Sequence, residues 1–385
     1  MIYLDNAATT LIKPDKVYKV SMYALKRCGN PGRGGHLPSV YASDKIFECR
    51  TLIAGLFNME EKPENVVFTL NATHALNIAI KSILHKGGHV VISSMEHNSV
   101  VRPLNKLKEN GVSYTVAHCP IFEPEAAVRS FSDCINRQKT DCVIVNHVSN
   151  VFGYELPIYK IDELCSQKGI PMIIDASQSA GIAYINTKKL KATAYICFPG
   201  HKALFGPQGT GCLICCKDEL LYSITEGGTG SNSIDENQPD FLPDIYESGT
   251  ANAHGICALA EGVRFVQKRT LRDISACHRE LTLYALERLS AISSLKIFTG
   301  AGHEHGVISF IADKTDCEEA AEYLNRQGIF VRAGLQCAPL AHKTVGTVDR
   351  GSVGVSFSVF NTVRDIDILC YNLNRILSKK TSVFY

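Results

Sequence analysis

Short apolar runs alternate with amphipathic stretches along most of this 385-residue chain. The apolar runs predict strands at 66–70, 89–93, 114–118, 142–147, 171–175, 194–198 and 212–216. Amphipathic stretches lie between the first five runs, at 73–84, 99–110, 124–137 and 158–168. Strands that alternate with helices form mostly parallel sheets with helices on both faces. We therefore predict an α/β fold with a mostly parallel seven-stranded sheet, whose ligands bind beyond the carboxyl ends of the strands.

The pattern changes at about residue 259, where a second unit is predicted. A long helical stretch is expected at 259–289, followed by strands at 295–298, 307–312 and 330–332 and by helices at 317–327 and 363–377. We predict a large domain at 15–258 and a smaller C-terminal α+β domain at 259–385. The N-terminal segment, residues 1–14, is expected to pack with the small domain.

The composition argues against several classes of protein. A formal net charge of +2 gives no electrostatic basis for binding nucleic acid or an anionic membrane. No apolar stretch approaches the roughly eighteen residues of a membrane span, and the first residues lack the features of a signal peptide.

The fifteen cysteines are an odd number spread over predicted strands and helices, which does not suggest a disulfide framework. We expect a reducing cytoplasm. We expect no metal site, because Cys212, Cys215 and Cys216 lie in one predicted strand without a partner pair at zinc-finger spacing.

Lys202 lies in a turn rich in glycine and proline, at 198–211, between two predicted strands. An amine among apolar neighbours can lose its proton and form a Schiff base. Asp175 ends the strand predicted at 171–175, at the edge of the sheet where ligands bind. A pyridoxal phosphate site needs a lysine for the aldehyde and a carboxylate for the pyridine nitrogen. Taken singly, a turn lysine is more often solvated, and an aspartate after a strand is often a helix cap.

Seven segments together resemble the class V aminotransferase family, and within it the group II cysteine desulfurases and selenocysteine lyases. In chain order the segments are Tyr3-Leu-Asp-Asn-Ala-Ala-Thr9, Glu96-His97, His147-Val-Ser-Asn150, Asp175-Ala-Ser-Gln178, Gly200-His-Lys202, Glu247-Ser-Gly-Thr-Ala-Asn252 and Arg332-Ala-Gly-Leu-Gln-Cys337. Their common order across nearly the whole chain makes the likeness specific. It implies the fold type I of pyridoxal phosphate-dependent transferases and a homodimer with shared active sites.

The resemblance implies roles for the residues around the cofactor ring. Lys202 would bind the cofactor's aldehyde and carry the substrate's α-proton. His97 would stack on the pyridine ring and assist proton transfer. Asp175 would pair with the pyridine nitrogen and Gln178 would contact the phenolic oxygen, which Asn150 would also reach, unless it binds the substrate carboxylate.

Phosphate binding is expected at the start of the helix predicted at 73–84, where backbone N–H groups are free. By the resemblance, Ala72 and Thr73 would hold the phosphate, His201 would add a donor, and Thr250 would reach it from the neighbouring subunit. Two positions depart from the family pattern: Ala72 replaces a residue with a hydroxyl group, and Pro199 replaces a serine. Both departures remove phosphate donors.

On the substrate side, the resemblance makes Cys337 the nucleophile. Its thiolate, favoured by the nearby Arg332, would attack the substrate's sulfur and keep it as a persulfide. Arg332, Asn150 and His36 would bind the substrate.

The family's carboxylate-binding arginine is replaced here by Gly354. Its loss would remove a charge-assisted contact of about 1.5–3 kcal/mol. Arg350, four residues upstream, is a candidate replacement.

We therefore predict a pyridoxal phosphate-dependent cysteine desulfurase that moves sulfur from L-cysteine to an enzyme cysteine and releases L-alanine. The alternative is a selenocysteine lyase, or another class V aminotransferase or lyase with a different carboxylate site. A catalytically silent dimeric scaffold is the third possibility. The expected partners are the amino acid substrate, a second copy of the chain and a sulfur-acceptor protein, whose identity the sequence does not give.

Overall fold

The computed structural model describes residues 1–32, 34–217, 219, 221–231, 233–300, 302, 304–313 and 315–381, so the last four residues of the predicted small domain lie outside it. The strands are β1 (Ile2–Tyr3), β2 (Val66–Thr69), β3 (Gly88–Ser93), β4 (Val112–Ala117), β5 (Cys142–Asn146), β6 (Met172–Asp175), β7 (Thr193–Pro199), β8 (Gly211–Cys215), β9 (Leu295–Ile297), β10 (Val307–Ala312), β11 (Ile329–Phe330), β12 (Arg332–Gly334) and β13 (Ser352–Ser356). The α-helices are α1 (Asp15–Leu25), α2 (Leu37–Leu56), α3 (Ala72–Leu84), α4 (Asn98–Leu107), α5 (Pro124–Arg137), α6 (Ile158–Gln167), α7 (Ala253–Arg269), α8 (Leu271–Ser290), α9 (Cys317–Arg326), α10 (Pro339–Val345) and α11 (Val363–Thr381).

The large sheet has seven strands within the described residues, in the order β2-β8-β7-β6-β5-β3-β4. The pairs from β7 to β4 are parallel, whereas β8 runs antiparallel to both of its neighbours. This confirms the predicted mostly parallel sheet, and the ends of the predicted strands shift by no more than two residues. The prediction succeeded because these strands are buried and apolar, as parallel strands covered on both faces must be.

Helices bury both faces of this sheet. Alternate residues of β5 belong to two different apolar clusters: Val143 and Val145 face one, and Cys142 and Ile144 face the other. Helices α3 and α4 pack into the second cluster, while α2, α5, α6 and α7 pack into the first. The carboxyl ends of the parallel strands therefore meet at one edge of a sheet that helices cover on both faces.

The second unit is built on an antiparallel sheet of order β12-β13-β10-β9, with α8, α9 and α11 packed on it. The single strand predicted at 330–332 was wrong: β11 pairs with β1, and β12 pairs with β13 in a different sheet. Strand β13 was not predicted. Its sequence, Ser-Val-Gly-Val-Ser, is too small and polar to form an apolar run.

The single long helix predicted at 259–289 was also wrong. Helix α7 runs through residue 258, packs on α1 and α2, and ends at Arg269, and Thr270 separates it from α8. We therefore propose Thr270 as the boundary between the two units. Residues 1–14 contact both: β1 pairs with β11, and the Thr10 hydroxyl donates to the carbonyl oxygen of Lys202 at 3.0 Å.

None of the described helices is both long and apolar enough to cross a membrane. Within the same part of the chain, no group of three or more His, Cys, Asp and Glu side chains could hold a metal ion. All fifteen cysteines are described, and all are free thiols. Eleven are buried and three are partly buried, while Cys337 is exposed. Its exposure sets Cys337 apart as the thiol accessible to a ligand.

Candidate active site

A cavity of about 260 Å³ opens at the carboxyl ends of the parallel strands, where the large and small units meet. Ten of the twelve residues predicted for the site line it. They are Ala72, Thr73, His97, Asn150, Asp175, Gln178, His201, Lys202, Arg332 and Cys337. The sheet thus brings together side chains that lie up to 265 residues apart in the sequence.

Lys202 projects from the turn after β7. Burial lowers the pKa of its amine from 10.5 to about 8, although the carboxylates of Asp175 and Asp5 oppose the shift. The Nζ atom makes no hydrogen bond to any described residue, while the carbonyl oxygen of Lys202 is held by Thr10. About a tenth of this amine is therefore neutral at pH 7, far more than for a solvated lysine, and the neutral form is free to act as a nucleophile.

Asp175 ends β6 and is buried beside this amine. One of its oxygens accepts a hydrogen bond from the backbone N–H of Ser177 at 2.9 Å. Beneath it, Glu96 is fully buried, and its Oε1 accepts from the Ser93 hydroxyl and from the N–H of Asn146. Burial raises the pKa of Glu96 to about 8, and the charge of Asp175 contributes to this shift. Glu96 is thus mostly protonated at neutral pH and adds little charge beneath Asp175.

His97 is the N-cap of α4. The backbone N–H of Ser99 donates to its Nδ1 at 3.0 Å, and the Ser99 hydroxyl lies 2.8 Å from the same nitrogen. Burial lowers the pKa of His97, an effect that Asp175 opposes. The ring is therefore neutral at neutral pH, and its Nε2 makes no hydrogen bond within the described chain.

The first turn of α3 forms one end of the cavity. Asn71 caps the helix by accepting from the N–H of His74 at 2.9 Å, and the N–H groups of Ala72 and Thr73 have no partner within the helix. His201 lies nearby, with its Nδ1 at 3.0 Å from the Thr9 hydroxyl. Burial, aided by the charges of Lys202 and Lys13, lowers the pKa of His201 to about 4. This end offers neutral donors to an anion.

The loop that carries Cys337 is attached to the large unit. The backbone N–H of Asn98 donates to the carbonyl oxygen of Cys337 at 2.7 Å, and the Asn150 side chain donates to that of Gln336 at 2.9 Å. Gln336 and Cys337 both have positive φ, 48° and 57°. The loop therefore turns sharply and holds the exposed thiol at the cavity mouth.

Arg332 lines the same end of the cavity, with its guanidinium 4.0 Å from the Asp5 carboxylate. Arg350 does not replace the missing arginine, because its guanidinium donates to the carbonyl oxygen of Ala312 at 2.9 Å and it does not line the cavity. Among the described lining residues, Arg332 is thus the guanidinium available to a substrate.

Two predicted residues lie away from this cavity. His36 caps α2, where its Nδ1 accepts from the N–H of Ser39 at 3.3 Å. Thr250 and Gly249 line a second cavity of about 420 Å³. The roles assigned to His36 and Thr250 are therefore not supported within a single chain. His36 stays a prediction as a substrate-binding residue, and Thr250 stays one as a phosphate contact from the neighbouring subunit.

Sequence reasoning gave no role to several other residues on the cavity wall: Asp5, Asn71, Ser99, Asn146 and Gln336. Asp5 and Gln336 lie within segments that carried the family resemblance, so their motifs gave a signal. Ser99 follows His97 by two residues, but only the helix-capping geometry reveals its contact.

The residues present fit pyridoxal phosphate. The Oδ1 atoms of Asn146 and Asn150 are buried and make no hydrogen bond to the described residues, although both side chains line the cavity. Such atoms are costly unless a ligand satisfies them. The free amine of Lys202, the Asp175 carboxylate and the donors at the start of α3 match the aldehyde, the ring nitrogen and the phosphate of this cofactor.

Comparison with known proteins agrees with this arrangement. Residues 2–369 match the family model described as aminotransferase class-V, so the chain belongs to that family, whose members depend on pyridoxal phosphate.

A probable cysteine desulfurase from Methanothermobacter thermautotrophicus is 29% identical over 97% of this chain and 94% of that protein. A cysteine desulfurase from Cronobacter sakazakii is 30% identical over 98% of this chain and 93% of that protein. The solved apo structure of a cysteine desulfurase from Thermococcus onnurineus NA1 is similar, with a TM-score of 0.88, 27% identity and coverage of 98% of this chain and 95% of that one.

Proposed function

We propose that this chain is a pyridoxal phosphate-dependent cysteine desulfurase. The reaction converts L-cysteine and the thiol of Cys337 into L-alanine and a persulfide on Cys337. The observation that carries the proposal is the exposed Cys337 in the same cavity as the Lys202–Asp175 pair. The relatives named above are all called cysteine desulfurases, which favours this reaction over that of a selenocysteine lyase.

The cofactor, when bound, would act as a sink for the electrons released at the substrate's α-carbon. Lys202 would attach it covalently and, with a pKa of about 8, could take up and return the α-proton near neutral pH. Asp175 would hold the protonated ring nitrogen, and the neutral ring of His97 would lie against the cofactor. The N–H groups of Ala72 and Thr73, together with His201, would hold the phosphate, while Gln178 and Asn150 would contact the phenolic oxygen.

Sulfur transfer would then fall to Cys337. Its Sγ attacks the substrate's sulfur, so that the S–S bond forms as the Cβ–S bond breaks. The electron pair of the broken bond goes to the carbon skeleton, which takes up a proton and leaves as alanine. A thiolate suits this step because it is both a strong nucleophile and a sulfur acceptor.

We also propose that the chain forms a homodimer and passes its sulfur to an acceptor. Exposed apolar side chains on α1 and α2 support a homodimer; they are Tyr18, Met22, Leu25, Leu37 and Phe47. In that dimer Thr250 would reach the partner's phosphate. A persulfide on the exposed Cys337 would be passed to an acceptor protein or thiol, and the free cysteines support a reducing cytoplasm.

The first test replaces Cys337 with alanine in enzyme loaded with pyridoxal phosphate. We expect wild type to form alanine from L-cysteine, and Cys337→Ala to lose at least about a hundredfold in rate because no other thiol is placed to accept sulfur. The visible absorbance of the bound cofactor should be unchanged, which separates lost chemistry from lost folding.

Cys277→Ala, in α8, is the matched control. Unchanged alanine formation by Cys337→Ala would contradict the role of Cys337. No alanine from the wild-type holoenzyme with cysteine or selenocysteine would refute the function.

A further inference from the structure

Gly354 lies directly opposite Arg332 in the small sheet. Strands β12 and β13 are antiparallel, and the register pairs Arg332 with Gly354 and Gly334 with Ser352. Opposite residues of an antiparallel pair project from the same face. Ser352 and Gly354 therefore share the face of Arg332. This face carries small residues, and it leaves room beside the guanidinium.

The side chain of Gln336 fills that room. A Cβ placed on Gly354 would lie 2.9 Å from both Nε2 and Oε1 of Gln336, so the polar end of the amide points at the space that a side chain at position 354 would fill. Gln336, and not Gly354, lines the cavity as a result. The amide is held there because Nε2 donates to the Ser352 hydroxyl at 3.2 Å, and Ser309 donates to the same hydroxyl at 2.6 Å.

This arrangement orients the acceptor of the amide. With Nε2 engaged by Ser352, Oε1 makes no hydrogen bond to any residue that the structure describes. An amide oxygen accepts hydrogen bonds from N–H groups, and its partial negative charge repels a carboxylate. The side chain next to Arg332 is thus neutral and offers an acceptor, whereas an arginine there would add a second cation for a carboxylate.

The charge of Arg332 is itself shared. Its guanidinium lies 4.0 Å from Asp5, whose carboxylate also lines the cavity. A substrate carboxylate would therefore compete with Asp5 for one guanidinium and would meet the oxygen of Gln336. A carboxamide would do neither: its carbonyl oxygen could accept from Arg332 while its N–H donates to Oε1 of Gln336.

We propose that Gln336 is a specificity-determining residue, which makes the cavity favour cysteine derivatives with an uncharged carboxyl group, such as a carboxamide, over free L-cysteine. This inference rests on the proposed function for its sulfur chemistry. It depends on the Gln336–Gly354 contact, so changes at either position should alter the preference.

The test compares kcat/KM for L-cysteinamide and L-cysteine in the holoenzyme of wild type, Gln336→Leu and Gly354→Arg. For each enzyme, kcat/KM for L-cysteinamide is divided by kcat/KM for L-cysteine. Comparing this amide-to-acid ratio between enzymes cancels the different intrinsic reactivity of the two substrates. Gln336→Leu keeps the volume and removes the acceptor, so we expect the amide-to-acid ratio to fall about tenfold. Gly354→Arg displaces the flexible amide and adds a guanidinium, so the ratio should fall by about tenfold to a hundredfold, mainly through better use of L-cysteine.

Gly354→Met is the matched control for the arginine. It displaces Gln336 equally but brings no charge, so its ratio should fall no further than that of Gln336→Leu. A ratio that stays within about twofold of wild type in both Gln336→Leu and Gly354→Arg would overturn the inference.

Binding of L-alaninamide and L-alanine, which contain no sulfur, separates this inference from the proposed function. Their affinities are measured from the change in absorbance of the bound cofactor. If neither cysteine compound yields sulfur but the alaninamide-to-alanine ratio falls in the two variants, the desulfurase function fails and the inference stands. If the binding ratio is unchanged, or if alaninamide does not bind, the inference fails even where desulfuration is observed.

Discussion

At the scale of the residue, the burial that makes the Lys202 amine a better nucleophile near neutral pH also destabilises the folded protein. Its pKa is lowered from 10.5 to about 8 by burial, so the protonated amine is the form that the fold penalises. Below pH 8 the folded and the unfolded chain both carry the charge, and the full penalty applies. Between pH 8 and 10.5 the unfolded chain binds more protons than the folded one, so the free energy of unfolding rises with pH.

We therefore predict that Lys202→Met stabilises the cofactor-free protein at pH 7. The gain in the free energy of unfolding should be about 1–3 kcal/mol, because the variant buries no charge. The gain should shrink as the pH rises from 8 towards 10.5. Urea unfolding of both proteins across this range measures the difference.

The matched control is Lys16→Met, on the exposed face of α1. The difference between the two substitutions removes the general effect of pH on stability. A Lys202→Met protein that is less stable than wild type at pH 7, or equally shifted at pH 7 and 10, would contradict the prediction.

The sequence predicted most of the functional residues that line the cavity, because the cofactor chemistry requires particular residue types and the motifs contain them. Lys202, Asp175 and Cys337 are in this group. Gln336 could not be predicted, since its role depends on the register that places Arg332 opposite Gly354 and on the empty space above a glycine. Contacts of this kind follow from tertiary packing and leave no local pattern.

At the scale of the element, buried strands were predictable and the joins between elements were not. The seven strands of the large sheet are runs of apolar residues, which a strand buried on both faces requires. The segment 259–289 is amphipathic throughout, so its periodicity gave no sign of the break at Thr270. Strand β13 was missed for the opposite reason, because its small residues carry no apolar signal.

Thr270 is a strained join between α7 and α8. Its backbone angles, φ 70° and ψ 145°, are ones that glycine adopts far more readily than a β-branched residue. Its side chain also caps α8, accepting from the N–H of Asp273 at 3.1 Å. The residue thus combines a stabilising cap with a destabilising conformation.

We predict that Thr270→Gly raises the free energy of unfolding by about 0.5–1 kcal/mol. Relief of the strain, worth about 1–3 kcal/mol, should exceed the loss of the cap and the added freedom of the unfolded chain. Thr270→Ala keeps the strain but loses the cap, so it should lower stability by about 1 kcal/mol. Chemical unfolding distinguishes the two, and a glycine variant no more stable than the alanine variant would contradict the strain.

At the scale of the whole molecule, the N-terminal segment ties the two units together around the cavity. The side chain of Asn6 donates to the carbonyl oxygen of Ser356 in β13 at 2.8 Å, and that of Gln178 donates to the carbonyl oxygen of Ala7 at 2.9 Å. Asp5 and Ala7 also line the cavity. Residues among the first ten of the chain thus fix the position of the small sheet relative to the strand ends of the large one. Arg332 of the small sheet is thereby held in place relative to Asp175.

A second copy of the chain would complete this arrangement. Thr250 lies in the second cavity, and Phe47 of α2 lines that cavity as well, although the residue is 58% exposed. Met22 on α1 is similarly exposed. An apolar surface continuous with a predicted phosphate contact is what an interface with shared sites requires.

We predict that the double variant Met22→Arg/Phe47→Arg sediments at the mass of one chain, whereas wild type sediments at twice that mass, because buried unpaired charges oppose association. Its affinity for pyridoxal phosphate should fall by about tenfold, since the Thr250 contact is then lost from the partner's site. Tyr371→Arg, on the exposed face of α11, is the control and should change neither property. A monomeric wild-type protein, or a monomeric variant that binds the cofactor as tightly as wild type, would show that each chain holds its phosphate without Thr250 of a partner.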